Sequence, residues 1–168
     1  MANLRTNNIF GESGKDPNGS ALFDGSGHLT AANASAFRIN YGTTEDYTLE
    51  AWIFLKEAPS GNARIASIYH TSGNQRSYMF YVSSDSVSTL NAGVVPLNEW
   101  VHVAVSHDTN TTTLRIYKNG LEKATDNSPA ATYFQNTSGD FVIGQDFPAG
   151  FISNLHIARG TCKYKTDF

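Results

Sequence analysis

The 168-residue sequence predicts a single all-β domain, an antiparallel sandwich or barrel. Three observations predict it. About a dozen short apolar runs follow one another with turn residues between them. Within those runs apolar and polar side chains alternate with the period of a strand. Gly and Pro recur too often for a helix of normal length, and no heptad or solenoid repeat is present.

Residues 1–19 are rich in Asn, Gly, Ser and Pro without periodicity and are expected to form an extended arm. From Ser20 the runs begin: "SALFDG" (20–25), "GHLTA" (27–31) and "AFRINYG" (36–42). "DYTLEAWIFL" (46–55) sets Leu49, Ala51, Ile53 and Leu55 on one face and Glu50, Trp52 and Phe54 on the other. "ARIASIYH" (63–70), "SYMFYVSS" (77–84) and "STLNAGVV" (88–95) follow. In "EWVHVAVSH" (99–107), Val101, Val103 and Val105 oppose Trp100, His102, Ala104 and Ser106, so both faces are partly apolar, as in a central strand of a two-layer stack. "TTLRIYKN" (112–119) ends at Asn119-Gly120, the pair that a type I′ hairpin requires, so "LEKATD" (121–126) should fold straight back. "DFVIGQ" (140–145) and "FISNLHIAR" (151–159) complete the series.

Composition removes several functions. Twelve basic against fifteen acidic side chains give a net charge of -3, and no Lys/Arg stripe exists, so nucleic acid is not an expected partner. No apolar run reaches membrane-spanning length, and the amino terminus lacks the apolar core of a signal peptide, so a soluble chain without membrane insertion is expected. Cys162 is the single cysteine, which excludes an intrachain disulfide and a Cys-rich zinc site and reads as a small, partly buried thiol. His102 and Ser106 share a face but stand about 13 Å apart along a strand and cannot form a dyad. His107-Asp108 opens the polar stretch "HDTNTTT", where a solvated turn is expected.

"ALFDGSGHLTA", "DYTLEAWIFL", "NEWVHVAVSHD…LRIYKNG", "FVIGQ" and "GFISNLHIARGTCKY", in this order and spacing, resemble the laminin-G-like, concanavalin A-like sandwich domains. The resemblance runs from about Ser20 to Phe168, and the closing motif looks most like the subgroup found in structural proteins of phages, marine phages especially. It implies a two-sheet antiparallel β-sandwich, a jelly roll, over residues 20–168. For function it implies less, because this fold hosts lectins, adhesion modules, glycosidases and structural parts. Relatives often hold Ca²⁺ with an early Asp and an acidic pair in the last strand. Asp24 matches the early acid, whereas Ser153 and Asn154 replace the pair, and Asp146 is a further oxygen donor; Asp24, Asp146 and Asn154 are thus the candidate Ca²⁺ set. The alternative for Asp24 and Asp146 is an Asx turn.

Retaining glycosidases need two carboxylates about 5 Å apart. In "TTEDYTLEAW" only Glu50 is well placed on a strand, since Glu45 and Asp46 are adjacent and diverge, so no catalytic residue is assigned. A binding surface fits the composition better: sugars stack on aromatic faces while amides and carboxylates bond their hydroxyls. Glu50, Trp52, Tyr81, Trp100 and His102 are the candidate ligand contacts, with Tyr69, Tyr78 and Asn91 beside them on a concave sheet. The expectation is a non-enzymatic module of a phage virion, a capsid decoration or a tail or fibre part assembled in a bacterial cytoplasm. It would touch other virion proteins, in part through the arm, and associate as a homo-oligomer whose number no motif sets. A lectin with or without Ca²⁺ is the alternative reading, and a glycoside hydrolase the third.

Overall fold

In a computed structural model that describes residues 19–31, 37–39, 45–69, 76–83, 92–127, 129 and 139–168, ten strands form two antiparallel sheets. They are β1 (Ser20–Phe23), β2 (Leu29–Ala31), β3 (Tyr47–Leu55), β4 (Asn62–Tyr69) and β5 (Arg76–Ser83), then β6 (Trp100–Asp108), β7 (Thr113–Lys118), β8 (Leu121–Asp126), β9 (Phe141–Ile143) and β10 (Gly150–Arg159). One sheet has the order β1-β10-β3-β6-β7-β8, the other β2-β9-β4-β5. The β-sandwich read from the sequence is therefore the fold, and strand β3 lies in the middle of its larger sheet, between β10 and β6.

Alternation along β3 builds the core. Ala51, Ile53 and Leu55 are fully buried and meet Val101 and Val103 of β6, Ile152 of β10, and Ala63, Ile65 and Val82 of the opposite sheet. Phe23 and Phe147 close one end, ring edge to ring face at 5.6 Å. The Asn119-Gly120 hairpin forms as its sequence requires, with φ of 51° and 79°.

Strand β10 carries the feature that positions the candidate site. Ser153 pairs with Trp52 and His156 with Glu50, so two residues, Asn154 and Leu155, oppose the single Ala51. The extra residue is a β-bulge, and Asn154 adopts φ of 48° within it, a conformation that Asn tolerates better than most residues. The bulge switches facing: Phe151 and Ser153 point away from the core before it, and His156 does so after it, while Leu155 and Ile157 pack inward.

Three expectations change. The described part of the 36–42 run, residues 37–39, joins no ladder; the Ile39 N–H donates to Ser77 Oγ at 3.0 Å and that hydroxyl donates back to Ile39 O at 2.7 Å. Residues 92–95 of the 88–95 run also lie outside the sheets, with Gly93 at φ of 77°. His107 and Asp108 do not start a solvated turn: β6 extends through both, and they are 7% and 2% exposed. His107 stacks on Tyr47, and Asp108 accepts the Asn110 N–H and pairs with Lys165, which holds its carboxyl below the usual range. The expected arm falls mostly on residues 1–18, outside the described residues.

Because the bulge needs a positive φ, Asn154→Gly should leave stability nearly unchanged. Asn154→Val should lower it by roughly 1–2 kcal/mol, read as a shift of the urea midpoint.

Candidate functional site on the outer face of the six-stranded sheet

The residues that alternate away from the core on β10, β3 and β6 lie in rows across the sheet. Phe151, Phe54 and Trp100 form one row, with Leu22 of β1 beside Phe151. Ser153, Trp52 and His102 form the next, and His156, Glu50, Ala104 and Tyr117 the third. Four of the five predicted ligand contacts, Glu50, Trp52, Trp100 and His102, thus share one face. The fifth does not. Tyr81 lies on β5 opposite Arg64, whose neighbours Ala63 and Ile65 fill the core, so Tyr81 faces outward from the other sheet. Tyr69 belongs to that sheet too, Tyr78 packs into the core, and Asn91 lies outside the described residues.

The first row is an aromatic bank. The Phe54 ring centroid is 5.6 Å from Trp100 and 5.9 Å from Phe151, and Trp100 is 6.2 Å from Phe151. Trp52 extends the bank toward His102 at 5.2 Å. All four rings are half-buried, and the Lys56 ammonium lies 5.0 Å over the Phe151 ring. Leu22, Val94 and Leu97, at 55%, 77% and 44% exposure, are apolar side chains left open to solvent.

From Glu50 to Tyr117 the third row is covered. Residues 161–168 cross it as a strap: the Lys163 N–H donates to Thr48 Oγ1, the Tyr164 N–H to Ser106 Oγ, and the Phe168 N–H to Gly120 O. Phe168 stacks on Tyr164 at 3.6 Å and meets His102 and Tyr117 edge-on. Tyr117, although it points away from the core, is therefore fully buried, and burial pushes its phenol up to about 12. A Cβ at Gly120 would fall 2.1 Å from Phe168 O, so the hairpin glycine is also needed for the strap to close.

Glu50 joins the two regions. Its carboxylate is 3.5 Å from His102 Nε2 and 3.0 Å from His156 Nδ1, accepts the Tyr164 hydroxyl at 2.5 Å, and pairs with the Lys163 ammonium. Burial alone would raise its pKa. The hydrogen bonds from His102, Lys163, Tyr164 and His156 outweigh that and hold it well below the usual carboxylate range. Burial, with the bond to Glu50, pushes the Tyr164 phenol up. On the sheet, the neighbours of Glu50 are Ala104 and His156, so no second carboxylate sits across from it. Glu50 is thus an anchor for the strap, with His102 among its partners, where the sequence suggested ligand contacts.

Of the candidate Ca²⁺ set, Asp24 and Asn154 do not meet. Asp24 caps its own turn, accepting the Ser26 N–H at 2.9 Å and the Ser26 hydroxyl at 2.8 Å. Asn154 lies four residues along β10 from Gly150, the partner of the residue before Asp24, about 13 Å away by the strand rise. Among the described residues, no three His, Cys, Asp or Glu side chains gather as a metal site. The Asx-turn alternative describes Asp24.

A family model described as the concanavalin A-like lectin/glucanases superfamily, laminin-G type, matches residues 23–160. The chain belongs to that superfamily. Among solved structures it is similar to domain 4 of AbnA, an extracellular GH43 arabinanase from Geobacillus stearothermophilus, in complex with arabinotriose, at 16% identity and a TM-score of 0.58 over 86% of this chain and 72% of that one. It is similar to the heptameric SAP-like pentraxin of Limulus polyphemus, at 17% identity and a TM-score of 0.50 over 81% and 73%. It is also similar to the binding domain of botulinum neurotoxin serotype G, at 13% identity and a TM-score of 0.51; 89% of this chain aligns there but spans only 45% of the other. At these identities the likeness is one of fold. No curated protein matches the sequence.

Replacing the buried carboxylate, Glu50→Gln, should cost about 3 kcal/mol, because His102, His156 and Lys163 lose their anion together. Folding lowers the Glu50 pKa, so its contribution is full above the unfolded value, about 4.3, and is lost as pH falls further below it. Urea titrations from pH 7 to 3 should show wild type losing stability below about pH 4.3 more steeply than Glu50→Gln.

Proposed function

We propose that the chain is a non-catalytic binding module that holds a carbohydrate against the aromatic bank of Trp52, Phe54, Trp100 and Phe151. The observation that carries this reading is the bank itself: four half-buried rings aligned on three adjacent strands, on a face that the strap leaves open. Ring faces of this kind stack on the C–H patches of sugars, with nearby polar groups bonding the hydroxyls. The arabinotriose complex of the AbnA domain, a similar fold, supports a sugar as ligand. Hydrolysis is disfavoured by the chemistry of Glu50, whose pKa is held well below the usual carboxylate range by the donors around it and which has no carboxylate opposite it on the sheet.

Leu22, Val94 and Leu97 favour a protein contact as a second use of the domain, because exposed aliphatic side chains offer a sugar hydroxyl nothing. With the phage-type closing motif 151–164, this supports a role as a virion component that touches other particle proteins. Deleting residues 2–18 should abolish incorporation into particles without changing the thermal midpoint of the domain; unchanged incorporation would remove the arm from that role.

Titration with a panel of neutral oligosaccharides, followed by tryptophan fluorescence, tests the main reading. At least one should saturate, without release of reducing ends. Trp100→Ala and Phe151→Ala should each weaken it by about 30-fold, the effect of losing an aromatic anchor worth about 2 kcal/mol. A silent panel, or binding indifferent to both substitutions, excludes the bank.

A further inference from the structure

The opposite sheet carries a concavity of its own. A groove of about 380 Å³ lies outside β4 and β5, lined by Ser60, Asn62, Arg64, Tyr69, Met79 and Asp146. Arg64 points into it because Ala63 and Ile65, its chain neighbours, are fully buried in the core. The guanidinium is held in place: Nη1 donates to Gln145 Oε1 at 2.5 Å and to Tyr69 O at 3.4 Å, and the group lies 5.5 Å from the Tyr69 ring centre.

Among the described residues no carboxylate lies within ion-pair distance of Arg64, and its buried Nε has no hydrogen-bond partner. A half-buried guanidinium fixed through Nη1 and unpartnered at Nε suits a carboxylate, which Arg bonds through charge-assisted contacts that Lys does not reproduce. The rest of the lining is mixed. Tyr69 and Met79 offer apolar surface, while Ser60, Asn62 and the Asp146 carboxylate offer groups that bond hydroxyls. A small inorganic anion would use only Arg64.

We infer that this groove binds a carboxylated sugar, a uronate unit of an acidic polysaccharide, with its carboxylate on Arg64, its ring C–H face toward Tyr69 and Met79, and its hydroxyls on Asn62 and Asp146. This site lies on the other sheet from the aromatic bank and does not depend on it.

Calorimetric titration of the full chain tests it, with a uronic-acid trisaccharide, the neutral trisaccharide of the same linkage, and acetate. The acidic trisaccharide should bind, weaken as salt is raised, and outbind the neutral one by at least about tenfold, as a charge-assisted hydrogen bond implies. Arg64→Lys should cost about tenfold at an unchanged thermal midpoint. Asn62→Ala, an exposed position, should weaken the same ligand without touching the Arg64 contacts, and Trp100→Ala should leave it unaffected. Equal binding of the neutral sugar, acetate binding as tightly as the trisaccharide, retention of affinity in both Arg64→Lys and Asn62→Ala, or no heat with the acidic trisaccharide at millimolar concentration would each overturn the assignment.

Discussion

A strand in the middle of a sheet must point its side chains alternately to two sides, and β3 has no idle side. One set of its residues makes the interior with the second sheet. The other set is Thr48, Glu50, Trp52 and Phe54, a buried hydroxyl and a buried charge followed by two half-buried rings. The molecule deals with this surface in two ways. The half around Thr48 and Glu50 is closed by the strap, and the half around Trp52 and Phe54 stays open as the bank. The candidate binding face is therefore what remains when a central strand has satisfied its own folding requirements.

Glu50 marks the border between the halves. A carboxylate removed from water on a sheet of apolar strands is costly unless donors surround it. Here they come from β6 and from the contiguous β10 and strap, so one charge ties β3 to two stretches far from it in sequence. The same saturation that makes the group a good fastener makes it a poor acid or base. Structural and catalytic uses of a single carboxylate compete, and on this sheet the structural one has prevailed.

Much of the fold was legible because its signals are local. The alternation in β3 and β6 and the Asn119-Gly120 turn each report on their neighbours in the chain, and all formed as read. The grouping of Glu50, Trp52, Trp100 and His102 followed from the same period. Tyr81 was misplaced because nothing within a strand says which sheet it joins. The strap escaped notice because residues 161–168 do not alternate and make their contacts with Thr48, Ser106 and Gly120, more than 40 positions away. His107 and Asp108 read as loop because their polarity is answered from outside the strand, by the Glu45 carbonyl and by Lys165. The groove combines a β4 side chain with the turn before β10 and left no contiguous trace.

The bulge at Asn154 has a consequence for how this strand can drift. Loops absorb single-residue insertions and deletions with little penalty, and in β10 the bulge can do the same: without Asn154, Leu155 would stand alone opposite Ala51 and His156 would still meet Glu50 on the outer surface. A one-residue loss on either side of the bulge is thus tolerable if the bulge closes to take it up, whereas a gain finds no such slack. Among natural variants of this domain, a single-residue gap within residues 150–159 should go with a regular strand in place of the bulge at Asn154.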